Sequence, residues 1–473
     1  MHTQLAVLGG GPGGYAAAFM AADLGLEVTL VEAEARLGGT CLLRGCIPSK
    51  ALLHVARVIS EVDELREDWG VRYGQPEIDL ATMRQRKGQV IDTLCKGLTQ
   101  LAKRRQVRVI HAHGRFQDSA TVQLVGDDAS VPEDGVLTYD HLILATGSEA
   151  ACPTALAVES PRVMDAAGAL ELADVPSSLL VVGGGYIGLE MGTLYAKLGS
   201  RVSLVELTDG LLPGADRNLV NPLHRRLDKL LEGRIFLSTR LGSLGERGDK
   251  VEAAFEGPEK FGTEHYDRVL VAVGRRPRTQ GIGLENTKVE LSHRGFVAVD
   301  AQQRTMDPQI LAIGDVVGEP MLAHKASRQG AVAVEALLGH PAAFEPAAIP
   351  AVIFTDPEIA WAGLTEDQAK REGRRVSVAT YPWGASGRAQ ALGRTEGLTK
   401  WIIDPASERL LGCGIVGSNA GELIAEAVLA IEMQCEVRDV VESIHPHPTL
   451  GETVRNAAEV FLGTATEIYK PRR

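Results

Sequence analysis

Cys41 and Cys46 lie five residues apart in the stretch Gly39-Thr40-Cys41-Leu42-Leu43-Arg44-Gly45-Cys46-Ile47-Pro48-Ser49-Lys50. The spacing carries geometric information. In a regular α-helix the Cα atoms of residues i and i+5 stand roughly 8.6 Å apart, whereas a disulfide requires about 4.4–6.8 Å. If the two sulfurs pair, the backbone between them is not ordinary helix. Gly39, Gly45 and Pro48 permit such a distortion, and a strained or exposed disulfide is the kind that is reduced and remade. The other reading is a pair of unlinked thiols at the start of a helix, since residues 51–62 form an apolar helix-like run. Both remain open on spacing alone.

A second chemistry-bearing pattern precedes it. Residues 4–8 read as an apolar strand, Gly9-Gly10-Gly11-Pro12-Gly13-Gly14 as a turn, residues 15–24 as a helix, and residues 28–31 as a strand closed by Glu32. Gly9, Gly11 and Gly14 satisfy G-x-G-x-x-G with an acid about 20 residues on. The glycines let backbone approach a pyrophosphate seated at the helix N-terminus, and Glu32 can take a ribose diol. The unit recurs. Shifted by 174 positions, Val7–Glu32 falls on Val181–Glu206, and twelve of the 26 residues coincide, both acids among them. Gly183, Gly185 and Gly188 form the second turn. Internal repetition of this kind points to two dinucleotides bound in one chain.

The elements that must position these groups follow the same plan. Residues 137–147 and 266–274 both run aromatic-Asp, apolar strand, glycine, so the repeat extends past the turns. Residues 309–315 end a further buried strand at Asp315, and ligands sit at such strand ends in doubly wound sheets. Residues 69–103 read as helical, 107–124 as strands and 323–338 as a helix. A stretch rich in Pro and Ala, 340–350, marks a boundary. Beyond it, 353–362, 375–381, 398–403 and 410–416 read as antiparallel strands, and 420–433 and 450–462 as helices.

Bulk properties limit the alternatives. At 473 residues the chain has room for two to four domains. A net charge of −12 argues against nucleic acid or anionic membrane as partner, and no apolar run reaches the length of a bilayer span. The strand at residues 4–8 leaves no room for a leader, so a cytoplasmic location is expected. Six cysteines in so long a chain do not make a secreted disulfide framework, and no second Cys or His pair at metal-ligand spacing accompanies Cys41 and Cys46.

With the glycine turns, the dithiol, Ala145-Thr146-Gly147, Gly314-Asp315 and His445-Pro446-His447-Pro448-Thr449-Leu450-Gly451-Glu452 in this order, the chain resembles the pyridine nucleotide-disulfide oxidoreductase family over its whole length. Within it, the resemblance is to the dihydrolipoamide dehydrogenases. The resemblance implies two Rossmann-like α/β dinucleotide-binding domains plus a C-terminal α+β dimerisation domain. The expected boundaries are 1–148 (FAD), 149–275 (NAD), 276–345 (a central part completing the FAD site) and 346–473 (interface). It implies FAD at Gly9, Gly11, Gly14, Glu32, Gly39, Thr40, Lys50, Gly114, Thr146, Gly147, Asp315 and Ala323. It implies NAD at Gly183, Gly185, Tyr186, Ile187, Gly188, Glu206, Ala272 and Gly274. Glu206 favours NAD because a carboxylate accepts from a 2′-OH and repels a 2′-phosphate.

By the same resemblance Cys41 and Cys46 form the redox disulfide, Lys50 pairs with Glu190, and His447 is the base oriented by Glu452, acting from the other subunit of a homodimer. The partner it implies is a lipoyl-bearing protein of a 2-oxoacid dehydrogenase or glycine cleavage complex. The alternative is another flavin disulfide reductase on this fold, glutathione- or mercuric-reductase-like. Against these stand Ile47-Pro48-Ser49-Lys50, Glu206 and a C-terminus without cysteines. Two positions depart from the family pattern: Leu43 where the redox loop usually has Asn, and Pro446 where the histidines usually flank Ala. The prolines after both histidines favour a cis bond at His447–Pro448.

Overall fold

The computed structural model describes residues 1–74 and 76–469. Gln75, inside the stretch expected as helix, and residues 470–473, the end of the expected C-terminal domain, lie outside the described residues. The chain gathers into two compact units.

The first unit comprises Met1–Ala51, Leu80–Ala151 and Gly274–Glu345. Its sheet runs in the order Arg108–His111, Val28–Glu32, His2–Leu8, Val136–Leu144 and Ile310–Ala312, all parallel. Two antiparallel strands, Thr121–Val125 and His113–Asp118, extend it from Val136–Leu144. Parallel strands are covered on both faces and read as continuous apolar runs. Accordingly Leu5, Val7, Leu30, Ile143 and Leu311 pack with the helix Pro12–Asp23 on one side, and Ala6, Leu8, Leu142 and Ala312 with Phe116 and Val297 on the other. Helix Pro12–Asp23 lies against helix Ala323–Leu337. The contact is close because both helices present glycine: a Cβ on Gly330 would reach Gly13 O at 2.9 Å.

The second unit comprises Leu52–Asp79, Cys152–Val273 and Pro346–Arg473. Its parallel sheet is ordered Ile235–Phe236, Arg201–Val205, Ser178–Val182, Arg268–Val271, Val163–Met164. Three antiparallel strands, Arg240–Arg247, Lys250–Glu256 and Gly262–Tyr266, pack Val251, Ala253 and Phe255 onto it. The C-terminal part is a five-stranded antiparallel sheet, Ala351–Ile353, Glu358–Gly363, Leu410–Gly417, Leu398–Ile403, Ser377–Pro382. Helices Ala420–Glu432 and Glu452–Leu462 cover it over the fully buried rings of Trp383 and Trp401. The mixed α/β class and the α+β end agree with expectation.

Two expected elements divide. Of the stretch expected as helix at 69–103, residues 69–74 and 76–79 are not helical; helix Cys46–Asp68 ends just before it and a new helix, Leu80–Arg104, begins within it. Gly70 takes φ +71°, which L side chains avoid, and Pro76 lacks the helical donor. The strand at 353–362 is two strands that pair antiparallel, Ile353 opposite Ile359. Pro357, which has no N–H for a ladder, sits in the turn between them.

In the second unit one buried cation ties the nucleotide-binding part to the C-terminal part. Lys400, fully buried, donates to Asp216 Oδ2 at 2.5 Å, Asn218 Oδ1 at 2.8 Å and Glu366 Oε1 at 2.6 Å. All three ammonium protons are satisfied. Burial opposes the charge on Asp216, but Lys400 and the backbone N–H groups of Glu366 and Asp367 outweigh it and hold the carboxyl below its usual range. A depressed carboxyl contributes stability above its unfolded pKa of about 3.9 and loses it as pH falls through the folded value. Lys400→Met should lower stability by about 3–5 kcal/mol, the effect of stranding a buried charge. Urea unfolding should also show less acid sensitivity below about pH 4 in the variant than in the parent protein. An unchanged midpoint would remove Lys400 from the structural core.

Candidate active site

The two glycine turns are built alike to a degree the sequence only outlined. Helices Pro12–Asp23 and Tyr186–Lys197 begin and end 174 residues apart. Gly9 takes φ +111° and Gly183 φ +109°. A Cβ on Gly9 would collide with Ala145 O, and one on Gly183 with Ala272 O. The third glycines, Gly14 and Gly188, press against the carbonyls of Gly9 and Gly183. The middle glycines differ in kind. Gly11 and Gly185 have φ −76°, open to any residue, and no protein atom within 3.7 Å of a built Cβ. Neither backbone strain nor packing accounts for glycine there. A group from outside the chain that must approach the helix N-terminus does, and a pyrophosphate fits. The arrangement therefore suits a dinucleotide at each turn.

The acids are held alike as well. Glu32 accepts from Gly10 N at 2.7 Å and Glu34 N at 2.9 Å. Glu206 accepts from Gly184 N at 2.6 Å, and from Thr208 N and Oγ1, both at 2.8 Å. Each carboxylate spans the end of its second strand and the glycine turn, and each is more than nine-tenths buried. No arginine contacts Glu206 among the described residues.

The cysteine loop docks on the first turn. Gly38 N donates to Gly10 O at 2.9 Å, and Gly39, at φ +58°, stands so close that a Cβ would lie 2.6 Å from Gly11 Cα. The short helix Gly39–Arg44 carries Thr40 and Cys41 and breaks at Gly45, whose φ −142° and ψ −110° are not helical; helix Cys46–Asp68 then starts. The break brings the sulfurs together. A hydrogen bond to Cys46, burial, and the charge on Cys46 push the Cys41 thiol far above its usual range, with Lys50 pulling the other way. Cys46 is exposed at the first position of a long helix, where the backbone dipole favours a thiolate.

Leu43 now has a physical role. It packs with Leu42, Ile47, Ile91, Cys95 and Leu98, so that helix Leu80–Arg104 backs the loop with an apolar face. Tyr15, on the first helix, was not singled out by sequence. Burial, and then the charges of Cys41 and Cys46, raise its hydroxyl pKa, which places the phenol beside the dithiol.

Other expected residues fall at strand ends and helix starts. Thr146 Oγ1 donates to Arg278 O at 2.8 Å, Gly147 takes φ +73°, and Asp315 lies in the turn Gly314–Val317 that follows strand Ile310–Ala312. Ala323 opens helix Ala323–Leu337. Gly114 has a reason within the fold, since a Cβ would meet Leu8 Cδ1 at 2.6 Å. Tyr186 and Ile187 open helix Tyr186–Lys197 and Tyr186 is exposed, Ala272 closes strand Arg268–Val271, and Gly274 takes φ +138°. Lys50 lies in the first helical turn after Cys46, within electrostatic reach of Cys41. Glu190 is buried and accepts from Phe354 N at 3.0 Å.

At the other end of the chain, His447 Nδ1 bonds Glu452 Oε1 at 2.9 Å, while Thr449 N donates to Glu452 Oε2 at 2.8 Å. A carboxylate only accepts, so Nδ1 carries the proton and Nε2 is the basic nitrogen. Burial opposes the Glu452 charge, but Thr449 N and His447 overcome it and keep the carboxyl below its usual range. The His447 side chain is 78% exposed and Glu452 14%: the orienter is held and the base is presented outward. His447–Pro448 is cis, as expected. His445 is engaged at both nitrogens, by Ser443 O at 2.9 Å and Glu426 Oε1 at 2.7 Å.

The family model described as pyridine nucleotide-disulphide oxidoreductase matches residues 3–330, and that of its dimerisation domain matches residues 349–458. The chain is 45% identical over 470 residues to the dihydrolipoyl dehydrogenase of Vibrio cholerae, covering 99% of this chain and 97% of the relative. It is 42% identical to that of Geobacillus stearothermophilus, with 99% and 98% covered. Among solved structures it resembles LpdA of Mycobacterium tuberculosis, with a TM-score of 0.87, 26% identity and 97% and 99% of the two chains covered. It also resembles the HOCl-induced flavoprotein disulfide reductase RclA of Escherichia coli in its Cu(II) complex, with a TM-score of 0.83, 26% identity and 96% and 99% covered. The duplicated turns, the paired thiols and the terminal His–Glu pair thus sit in a chain that belongs to the pyridine nucleotide-disulphide oxidoreductase family and, within it, to the dihydrolipoyl dehydrogenases.

Proposed function

We propose that the chain oxidises protein-bound dihydrolipoyl groups to lipoyl groups, with Cys41 and Cys46 as the redox pair and NAD+ as the final acceptor. The observation that carries this is the union of a helix-start dithiol docked on one glycine turn with an outward-facing, carboxylate-held histidine. Residues 1–148 and 276–345 hold FAD, through Gly9, Gly11, Gly14, Glu32, Gly39, Thr40, Lys50, Gly114, Thr146, Gly147, Asp315 and Ala323. Residues 149–275 hold NAD, through Gly183, Gly185, Tyr186, Ile187, Gly188, Glu206 and Ala272, with Gly274 closing the strand end. Residues 346–473 form the interface of a homodimer.

In the oxidised enzyme Cys41 and Cys46 are a disulfide. His447 Nε2 of one subunit takes the proton of a dihydrolipoyl thiol in the other subunit's site. The resulting thiolate attacks Cys41 Sγ; the Cys41–Cys46 bond breaks and Cys46 leaves as a thiolate at the helix start. The second lipoyl sulfur attacks the first and its proton passes to the departing Cys41 sulfur, which closes the lipoyl ring and returns Cys41 to the thiol. Held by the residues named above, FAD would supply the two-electron link between the dithiol and NAD+. Glu452 keeps Nδ1–H of His447 in place and stabilises the imidazolium that forms. The lipoyl group arrives on another chain of a 2-oxoacid dehydrogenase or glycine cleavage complex in the cytoplasm.

Cys46→Ser should abolish lipoamide turnover while retaining NADH oxidation by a dye that accepts electrons from flavin. Unimpaired lipoamide turnover in that variant would end this scheme. His447→Gln should lower kcat for dihydrolipoamide oxidation by about 10²–10⁴ with the protein still yellow. Retained turnover there would assign the base elsewhere. For the second nucleotide, Glu206→Ala should raise the KM for NAD+ by about ten-fold or more, as a hydrogen bond to a charged group is lost, and narrow the preference over NADP+. Equal discrimination before and after substitution would place the specificity outside Glu206.

A further inference from the structure

Three segments far apart in sequence meet at one side-chain chain in the first unit. Strand Ser148–Ala150 pairs antiparallel with Arg275–Pro277, Arg275 opposite Ala150 and Pro277 opposite Ser148. The ladder brings the Arg275 guanidinium onto Ser148 twice: Nε donates to Ser148 Oγ at 2.8 Å and an Nη to Ser148 O at 2.8 Å. Ser148 Oγ in turn donates to Asp315 Oδ2 at 2.5 Å. Ser148 is 2% exposed, so water does not compete for its hydroxyl.

The direction of this chain is forced by donor count. A guanidinium has no acceptor and a hydroxyl has one proton. Because Arg275 Nε–H occupies a lone pair of Ser148 Oγ, the serine proton is directed to Asp315. Both members of a hydrogen-bond chain are polarised by the cation at its head. Asp315 otherwise sits on a one-turn segment; Gly314 N donates to Gln329 Oε1 at 2.9 Å, which anchors the backbone but not the carboxylate. Among the described residues Asp315 Oδ1 takes no hydrogen bond. One oxygen is thus locked and the other left for a ligand hydroxyl.

We infer that Arg275 and Ser148 are positioning residues for the flavin site: together they fix the rotamer and charge orientation of Asp315, so that its second oxygen receives a hydroxyl of the FAD ribityl chain. This rests on the assignment of Asp315 to FAD made above. Arg275 acts only through Ser148, which distinguishes the relay from direct attraction between guanidinium and flavin phosphates.

The test uses the purified holoenzyme. Released FAD is measured by its fluorescence after dilution and ultrafiltration, and thermal unfolding is followed in parallel at saturating FAD. Ser148→Ala and Arg275→Gln should each raise the FAD dissociation constant about ten-fold, the loss of a hydrogen bond to a charged group. Adding Arg275→Gln to Ser148→Ala should change it by less than about two-fold, because residues acting in one chain are not additive. A merely structural role would lower the thermal midpoint of both single variants and add in the double one. If Ser148→Ala does not fold, Arg275→Lys carries the test: its single ammonium cannot reproduce the two-point grip, and unchanged FAD affinity would overturn the relay. Full additivity, or FAD retention equal to the parent in Ser148→Ala, would overturn it as well. Asp315→Ala separates the two levels. Weakened FAD binding there with unaffected Ser148→Ala defeats the relay alone; unaffected binding in Asp315→Ala defeats the flavin assignment beneath it.

Discussion

The arrangement of the first unit depends on one close backbone contact, that between Gly39 and Gly11. A Cβ on Gly39 would lie 2.6 Å from Gly11 Cα. The redox loop is therefore pressed against the mouth of the first dinucleotide turn, held further by Gly38 N on Gly10 O. Everything the dithiol does follows from where this contact puts it. The helix break at Gly45 brings two sulfurs together; the apolar backing of Leu42, Leu43 and Ile47 on helix Leu80–Arg104 keeps them there. Open space at Gly11, where protein atoms demand no glycine, is what the turn reserves for its ligand.

The same logic appears twice, and duplication clarifies which features are constraint and which are adaptation. Gly9 and Gly183, Gly14 and Gly188, Glu32 and Glu206 repeat in conformation as well as identity. The helices that follow do not repeat in surroundings. In the first unit Gly13 lets helix Ala323–Leu337 approach, whereas the corresponding Ile187 does not offer that surface. The first copy has been fitted to receive a second helix and a redox loop, and the second to support a C-terminal sheet through Glu190 and Asp216.

What could be read in advance was what backbone sterics force on residue type. A glycine required by a carbonyl at contact distance, an acid required to accept a turn amide, and two cysteines across a helix break leave marks at fixed spacing, and each was legible. The C-terminal His447–Glu452 pair was legible through the family resemblance, and a 2.9 Å hydrogen bond joins its members. Contacts between distant segments left no such mark. Ser148, Arg275 and Asp315 come from three stretches and are joined only by the fold; Tyr15 faces the thiols across a turn; Leu43 looked anomalous until its packing neighbours, some fifty residues on, were in view. The two misplaced elements had the opposite fault. Gly70, Pro76 and Pro357 were present to break them, and apolar periodicity was allowed to outweigh those breakers. The alternation of Val251, Ala253 and Phe255 was likewise present and not followed to its three-stranded sheet.

The Glu206 carboxylate has a consequence for how this chain can change. It accepts the amide of Gly184 within the turn and two groups of Thr208 beyond the strand, so the residue proposed to discriminate between ribose and its phosphate is also a brace of the glycine turn. Specificity and architecture share one side chain. A lineage moving from one nicotinamide cofactor to the other cannot exchange this acid for a basic residue in a single neutral step, because the turn loses its internal bonds at the same moment. The accessible route runs through prior stabilisation of the turn by its neighbours.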